Sequence, residues 1–352
     1  MISIWLDTLS RDLIEDGGLA TLMTERGVSG ATSNPTIFAK AMSGSDRYDG
    51  QLRAELEAGV DDPRELFLAL ALEDVRRAAA MMRPIHETGH DGFVSLEVTP
   101  DVAYDTEATI EQALELWRRL DAPNVMIKVP ATEPGVAAIE ELTARGVNVN
   151  VTLLFAVSRY EQVIEAYIRG LERRARADEP LTGISSVASF FVSRVDAKAD
   201  GRLPEGSPLR GRIGIANARA AYGVYEERFA GPRWDRLAGL GARPQRPLWA
   251  STAPKDPAYR DVVYLEQLAL PGTILTVPEA TLHAFADHGD LSRMEAFDLQ
   301  AAERAVRDAP VDLAAITREL EREGVEAFCR SYGELLDAIA QRIEDLHGAS
   351  VL

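Results

Sequence analysis

The chain has 352 residues, 46% of them hydrophobic and 27% charged, so it can bury a full core and is not a disordered or fibrous protein. Its formal net charge of -18 is spread along the sequence without a Lys/Arg-rich run, which argues against nucleic acid as a partner and makes any well-placed cation informative. The single cysteine, Cys329, excludes an internal disulfide and a cysteine-based structural zinc site.

The N-terminus, MISIWLDTLSRD, reaches an acidic residue at position 7 without a basic-then-apolar signal pattern. No stretch of 18 apolar residues follows, so the expectation is a cytoplasmic chain without a membrane span. Apolar runs of strand length then recur at 2–7, 30–33, 93–98, 124–130, 147–153, 186–191, 247–251 and 273–277. Between them apolar residues take helical spacing, as in Ile110, Ala113, Leu114 and Trp117, or Val163, Ile164, Tyr167 and Leu171. Eight alternations of strand and helix imply parallel pairing and predict a single (β/α)8 TIM barrel, with an open doubly wound sheet as the alternative. The long gap over 40–63 reads as an insertion or extra helix near the mouth, and 199–212, rich in Gly, Pro and charge, as a surface loop. After about residue 290 strand patterns stop. Three further helices are expected at 296–308, 312–323 and 325–346, packed on the outside of one domain spanning 1–352. Apolar residues there, such as Leu335 and Ile339, are compatible with an oligomer surface, so monomer and homodimer both stand.

Alternation within each strand separates helix-facing from axis-facing side chains. In NVMIKVP, Val125, Ile127 and Val129 face the helices, leaving Met126 and Lys128 at the axis. In FVSLEV, Val94, Leu96 and Val98 point outward and Ser95 and Glu97 inward. In VNVNVTL, Val147, Val149, Val151 and Leu153 are assigned outward, and Asn148, Asn150 and Thr152 inward. Ile2, Ile4 and Leu6 share one parity in the first strand, with Asp7 on the other at its C-terminal end. Barrel interiors are normally apolar and an unpaired buried charge costs about 3–5 kcal/mol. Three ionisable groups late in their strands therefore need a reason, and that barrel end is where active sites of this fold assemble. A self-satisfied Lys–Asp–Glu network would gain little over an apolar core. A partly desolvated lysine, by contrast, can attack a carbonyl and form an imine, with Glu97 or Asp7 moving protons directly or through a water held by Thr152. Burial lowers the lysine's pKa and the carboxylates raise it, which leaves the net direction open at this stage.

Seven motifs stand in order along the chain: WLDTLSR (5–11), GATSNPTIF (30–38), VSLEVTP (94–100), NVMIKVPAT (124–132), NVNVTLLF (148–155), SVASFFVSRVD (186–196) and LWASTAPKDPAY (248–259). Together they resemble transaldolase, most closely its longer bacterial form with additional C-terminal helices. The resemblance implies that Lys128 forms a Schiff base with C2 of a ketose phosphate such as sedoheptulose 7-phosphate or fructose 6-phosphate. Asp7 would take the C4 hydroxyl proton, and Glu97 with Thr152 would serve the dehydration and hydration steps. Asn34 and Asn150 would hold the dihydroxyacetone unit until glyceraldehyde 3-phosphate or erythrose 4-phosphate accepts it. Ser189, Arg194, Ser251 and Lys255 match the family's phosphate pocket, and Phe191 an aromatic that shapes the site. No metal or cofactor is implied. The family's fructose-6-phosphate aldolases use the same lysine but release free dihydroxyacetone, and a noncatalytic sugar-phosphate-binding barrel is a third reading. TSNP replaces the more usual TTNP, and STAPK a Gly-containing loop whose course Pro254 now restricts. The first strand also starts almost at residue 1, where relatives usually carry a helical segment.

Two other signals are set aside. HETGH at 86–90 matches the two-histidine zinc protease pattern, but Gly89 and Gly92 interrupt the helix that this chemistry needs. Asp101, Asp105 and Glu107 read as a polar loop and helix cap.

Overall fold

The computed structural model describes residues 2–89 and 91–349. Eight parallel strands close into a barrel in sequence order: β1 (Ser3–Leu6), β2 (Val28–Thr32), β3 (Val94–Glu97), β4 (Val125–Pro130), β5 (Val149–Leu154), β6 (Ser186–Phe191), β7 (Arg246–Ala250) and β8 (Ile274–Val277). β1 pairs with β8 as well as β2, so the chain is a TIM barrel and the open-sheet alternative is set aside. Several helices begin where polar side chains take over the free backbone N–H groups of the first turn. Asp105 accepts from the Ala108 N–H and Thr132 from the Gly135 N–H, each just past a strand. The 40–63 stretch contains the helix Asp49–Glu57, and residues after Asp200 form the turns of a loop up to Arg212.

Two apolar layers follow from the strand alternation. Val94, Leu96, Val125, Ile127, Val129, Val149 and Val151 pack with the surrounding helices. Trp5, Met126, Val187, Phe191, Leu248 and Ile274 fill the axis. Gly30 is required beside the first of these, because a Cβ there would sit 2.5 Å from the Trp5 indole.

Leu153 departs from the alternation. Expected outward, it belongs to the inner layer, and Leu154 takes the helix-facing place. The backbone at Leu153 adopts φ 55°, in the left-handed region, and the pairing of β5 with β6 shifts register between Val151 and Leu154. A single left-handed residue thus reverses the parity at the strand's end.

The C-terminal region differs from the sequence reading in two ways. The helices expected at 312–323 and 325–346 are one 37-residue helix, Leu313–Ala349, preceded by Leu299–Arg307. Gly324, which lies between those two expected segments, allows a close approach: a Cβ there would lie 2.9 Å from Leu153 Cδ2. The long helix is also not confined to the outside. Ile316, Leu320, Val325 and Phe328 pack with Leu153, Phe155, Phe191 and Leu203 in the inner layer, at the end where the strands terminate.

Candidate active site

Strand register brings the charged side chains together. Glu97 on β3 pairs with Lys128 on β4, and Lys128 pairs in turn with Asn150 on β5. All three are buried, so each needs partners within the barrel. The Lys128 ammonium donates to the Ser33 carbonyl at 3.2 Å and lies 3.5 Å from Glu97 Oε2, an ion pair without hydrogen-bond alignment. Asn150 donates to Ser95 Oγ at 2.9 Å and accepts from Ser189 Oγ at 2.7 Å, a chain that fixes its amide orientation.

Burial raises the Glu97 carboxyl to about 7; the neighbouring Lys128 charge opposes that rise and Asp7 adds to it. Glu97 Oε2 and Thr152 Oγ1 are buried polar atoms with no hydrogen-bond partner among the described residues. Such atoms are costly in a folded core and rare unless a ligand or water completes them.

Lys128 opens onto a cavity that Asp7, Asn34, Ser189, Phe191, Arg194, Ser251 and Lys255 also line. Eight of the eleven expected site residues therefore share one space, while Glu97, Asn150 and Thr152 lie off its wall, the first two beside Lys128 in the strand register and Thr152 beside Pro130. Asp7 leaves β1 and accepts a hydrogen bond from Thr32 Oγ1 at 2.7 Å. Asn34 caps the helix Pro35–Ser43 through Oδ1, which accepts from the Ile37 N–H.

Arg194 starts from the first turn of the helix Ser193–Asp200 and lays its guanidinium 5.3 Å from the Phe191 ring centroid. Burial lowers its pKa, and Asp7 opposes the shift. Lys255 is solvent-exposed at the cavity; partial desolvation and then the charge of Arg194 lower its pKa. Two cations lining one cavity, in so acidic a chain, mark a place built for an anion. Ser251, at φ 54°, bends the chain sharply after β7, and its hydroxyl shares a 2.8 Å hydrogen bond with Ser193. Holding a non-glycine residue in this region costs about 1–3 kcal/mol, and such strain clusters at functional sites.

Several wall residues escaped the sequence reading. Thr32 and the Ser33 carbonyl lie in the TSNP motif but carry no charge to single them out. Phe328 lines the cavity from the long C-terminal helix, and helical periodicity has no means of saying which end of a barrel a helix covers. The zinc pattern finds no support: His86 lies in the last turn of the helix Pro63–Glu87, Gly89 has φ 102°, and His90 lies outside the described residues.

A family model described as transaldolase/fructose-6-phosphate aldolase matches residues 4–339. Among curated proteins, a "Transaldolase" of Saccharopolyspora erythraea is 50% identical over 353 residues, covering 97% of this chain and 95% of that one. The "Transaldolase" of Acidothermus cellulolyticus is 49% identical with the same coverage, and "Transaldolase 1" of Streptomyces coelicolor 46% identical over 97% and 93%. With a closed barrel, a buried lysine paired to Glu97 and matches of this extent, the chain belongs to the transaldolase/fructose-6-phosphate aldolase family.

Proposed function

We propose that this chain is a transaldolase that moves a dihydroxyacetone unit from a ketose phosphate, sedoheptulose 7-phosphate or fructose 6-phosphate, to glyceraldehyde 3-phosphate or erythrose 4-phosphate. The observation that carries this reading is Lys128, buried against Glu97 yet opening onto a cavity that also holds Asp7, Arg194 and Lys255. Lys128 forms the new C–N bond at C2 and the carbonyl oxygen leaves as water, giving the imine. Asp7 then accepts the C4 hydroxyl proton as the C3–C4 bond breaks, the aldose departs, and the enamine adds to the acceptor as Asp7 returns the proton. Glu97, raised to about 7, is poised both to give and to take protons near neutrality, and Thr152 Oγ1 offers an uncommitted partner for the water released and consumed. Asn34 and Asn150 orient the dihydroxyacetone hydroxyls. Ser189, Arg194, Ser251 and Lys255 receive the phosphate, and Phe191 backs the guanidinium.

In this reading the chain works as one domain, 1–352, because Phe328 of the C-terminal helix contributes to the wall. Its setting is the cytoplasm, as a monomer or homodimer without nucleic-acid partners. No described helix is long and apolar enough to cross a membrane. Borohydride reduction in the presence of fructose 6-phosphate, followed by peptide mass spectrometry, should place a reduced three-carbon or six-carbon adduct on Lys128. Unmodified protein, or an adduct elsewhere, would remove the basis for the Schiff-base mechanism. Free dihydroxyacetone released in steady state without an acceptor aldehyde would favour the aldolase instead.

A further inference from the structure

A second cavity, of about 520 Å3, lies on the barrel flank between the loop before Ile213, the helix Ile213–Arg228 and the helix Leu299–Arg307. It shares no wall residue with the lysine cavity. Arg219 is 7% exposed and lines it. All three of its hydrogen bonds leave from Nη2, to the Gln267 carbonyl at 3.2 Å, Gln267 Oε1 at 3.0 Å and the Glu295 carbonyl at 3.0 Å. Its Nε is buried with no partner among the described residues, and every acceptor it does have there is neutral. A buried guanidinium that no carboxylate hydrogen-bonds, with the Glu295 charge acting on it only from a distance, is costly, which points to an anion as the missing partner.

The remaining charges on the wall define that anion. Arg212 is matched to Glu295 at 3.4 Å and Arg260 to Glu266 at 2.9 Å. Arg210 donates to the Asp200 carbonyl at 2.8 Å, a neutral acceptor. Asp298 is the one wall carboxylate besides Glu295, and it is committed to capping its own helix through the Ala301 N–H. Arg210 and Arg219 against Asp298 leave one net positive charge, enough for a monoanion but not for a phosphate dianion. Much of the rest is apolar, with Ile215, Val263 and Ala305 facing the space. A polyhydroxylated sugar would leave its hydroxyl groups unpaired against such walls.

We propose that this cavity binds a small organic carboxylate with a compact apolar body, its carboxylate on Arg219 and Arg210 and its hydrocarbon part against the helix Leu299–Arg307. The site is independent of the lysine chemistry. Fluorine NMR titration of the full-length protein with 4-fluorobenzoate tests it. Saturable binding with a Kd of roughly millimolar or tighter is expected, weakened about tenfold or more when the charge-assisted contact is removed in Arg219→Met. The neutral 4-fluorobenzamide should bind at least about tenfold more weakly than the acid. Because Arg219→Met removes a buried side chain and could fail to fold, Ala305→Phe provides a second arm. It fills the cavity from a half-buried helix face, and should abolish binding while leaving the transferase rate unchanged. Four results would overturn the proposal: no saturation in the unaltered protein up to ~10 mM, equal binding in Ala305→Phe, equal binding of the amide, or displacement by fructose 6-phosphate.

Discussion

Glu97→Gln keeps the size of a buried side chain and removes its charge, so it isolates the cost of ionising that group inside the barrel. Burial lifts Glu97 from the ordinary 4.5 to about 7, even with Lys128 opposing the rise. Between those pH values the folded chain holds a proton that the unfolded chain has released. The stability contributed by this group is therefore fully present below about pH 4.5 and lost as pH rises through about 7. At 1.36 kcal/mol per pKa unit the shift corresponds to about 3 kcal/mol. Gln at this position has no such slope. Relative to the unaltered protein, the variant should gain about 3 kcal/mol between pH 4.5 and 8, read by urea unfolding at closely spaced pH values. The same variant should lose about 100-fold to 10,000-fold in kcat at neutral pH, because its amide can no longer exchange protons with the carbinolamine. Parallel stability curves would refute the buried-ionisation argument, and an undiminished kcat would refute the proton-transfer role.

Arg194→Met should lower kcat/KM for fructose 6-phosphate by roughly 10-fold to 100-fold, the worth of a charge-assisted contact, and barely affect unphosphorylated fructose. Equal losses on both sugars would show that Arg194 does not read the phosphate. Asp74→Ala strands the buried Arg11, whose Nε now lies 2.9 Å from the Asp74 carboxylate, and also removes the acceptor of the Tyr48 hydroxyl. Chemical denaturation should show a loss of about 3–5 kcal/mol, and a loss under ~1 kcal/mol would mean that water reaches the site. Gly30→Ala drives a methyl into the Trp5 indole, which cannot swing aside because its Nε1 is bonded to Asp91 at 2.6 Å. Overpacking of this kind should cost about 1–3 kcal/mol in thermal or urea unfolding.

Much of the barrel was legible because a parallel strand buried on both faces still alternates whenever one face must carry chemistry. Lys128, Glu97 and Asp7 stood out as charges interleaved with Val, Ile and Leu, and the register that joins Glu97 to Lys128 completes that pattern. Leu153 was misread because alternation assumes extended backbone throughout, and a left-handed φ leaves no trace in residue type when the residue is leucine. The division of the last helix into 312–323 and 325–346 failed at Gly324, a residue type that suits both a helix end and a tight helix contact, and only the position of Leu153 tells the two apart. Backbone donors and acceptors, such as the Ser33 carbonyl on Lys128, have no sequence signature at all. Arg11 and Asp74 meet across 63 residues, beyond the reach of any local spacing rule.

The cavity wall draws on residues as far apart in sequence as Asp7 and Phe328, in a barrel whose closing seam joins β1 to β8. During synthesis the lysine's surroundings therefore stay incomplete until the helix that carries Phe328 has left the ribosome. A chain cut short before the helix Leu313–Ala349 would present an amine pocket that keeps Phe191 but lacks Phe328 in its wall. Premature termination should thus yield products that fail in catalysis before they fail to form strands.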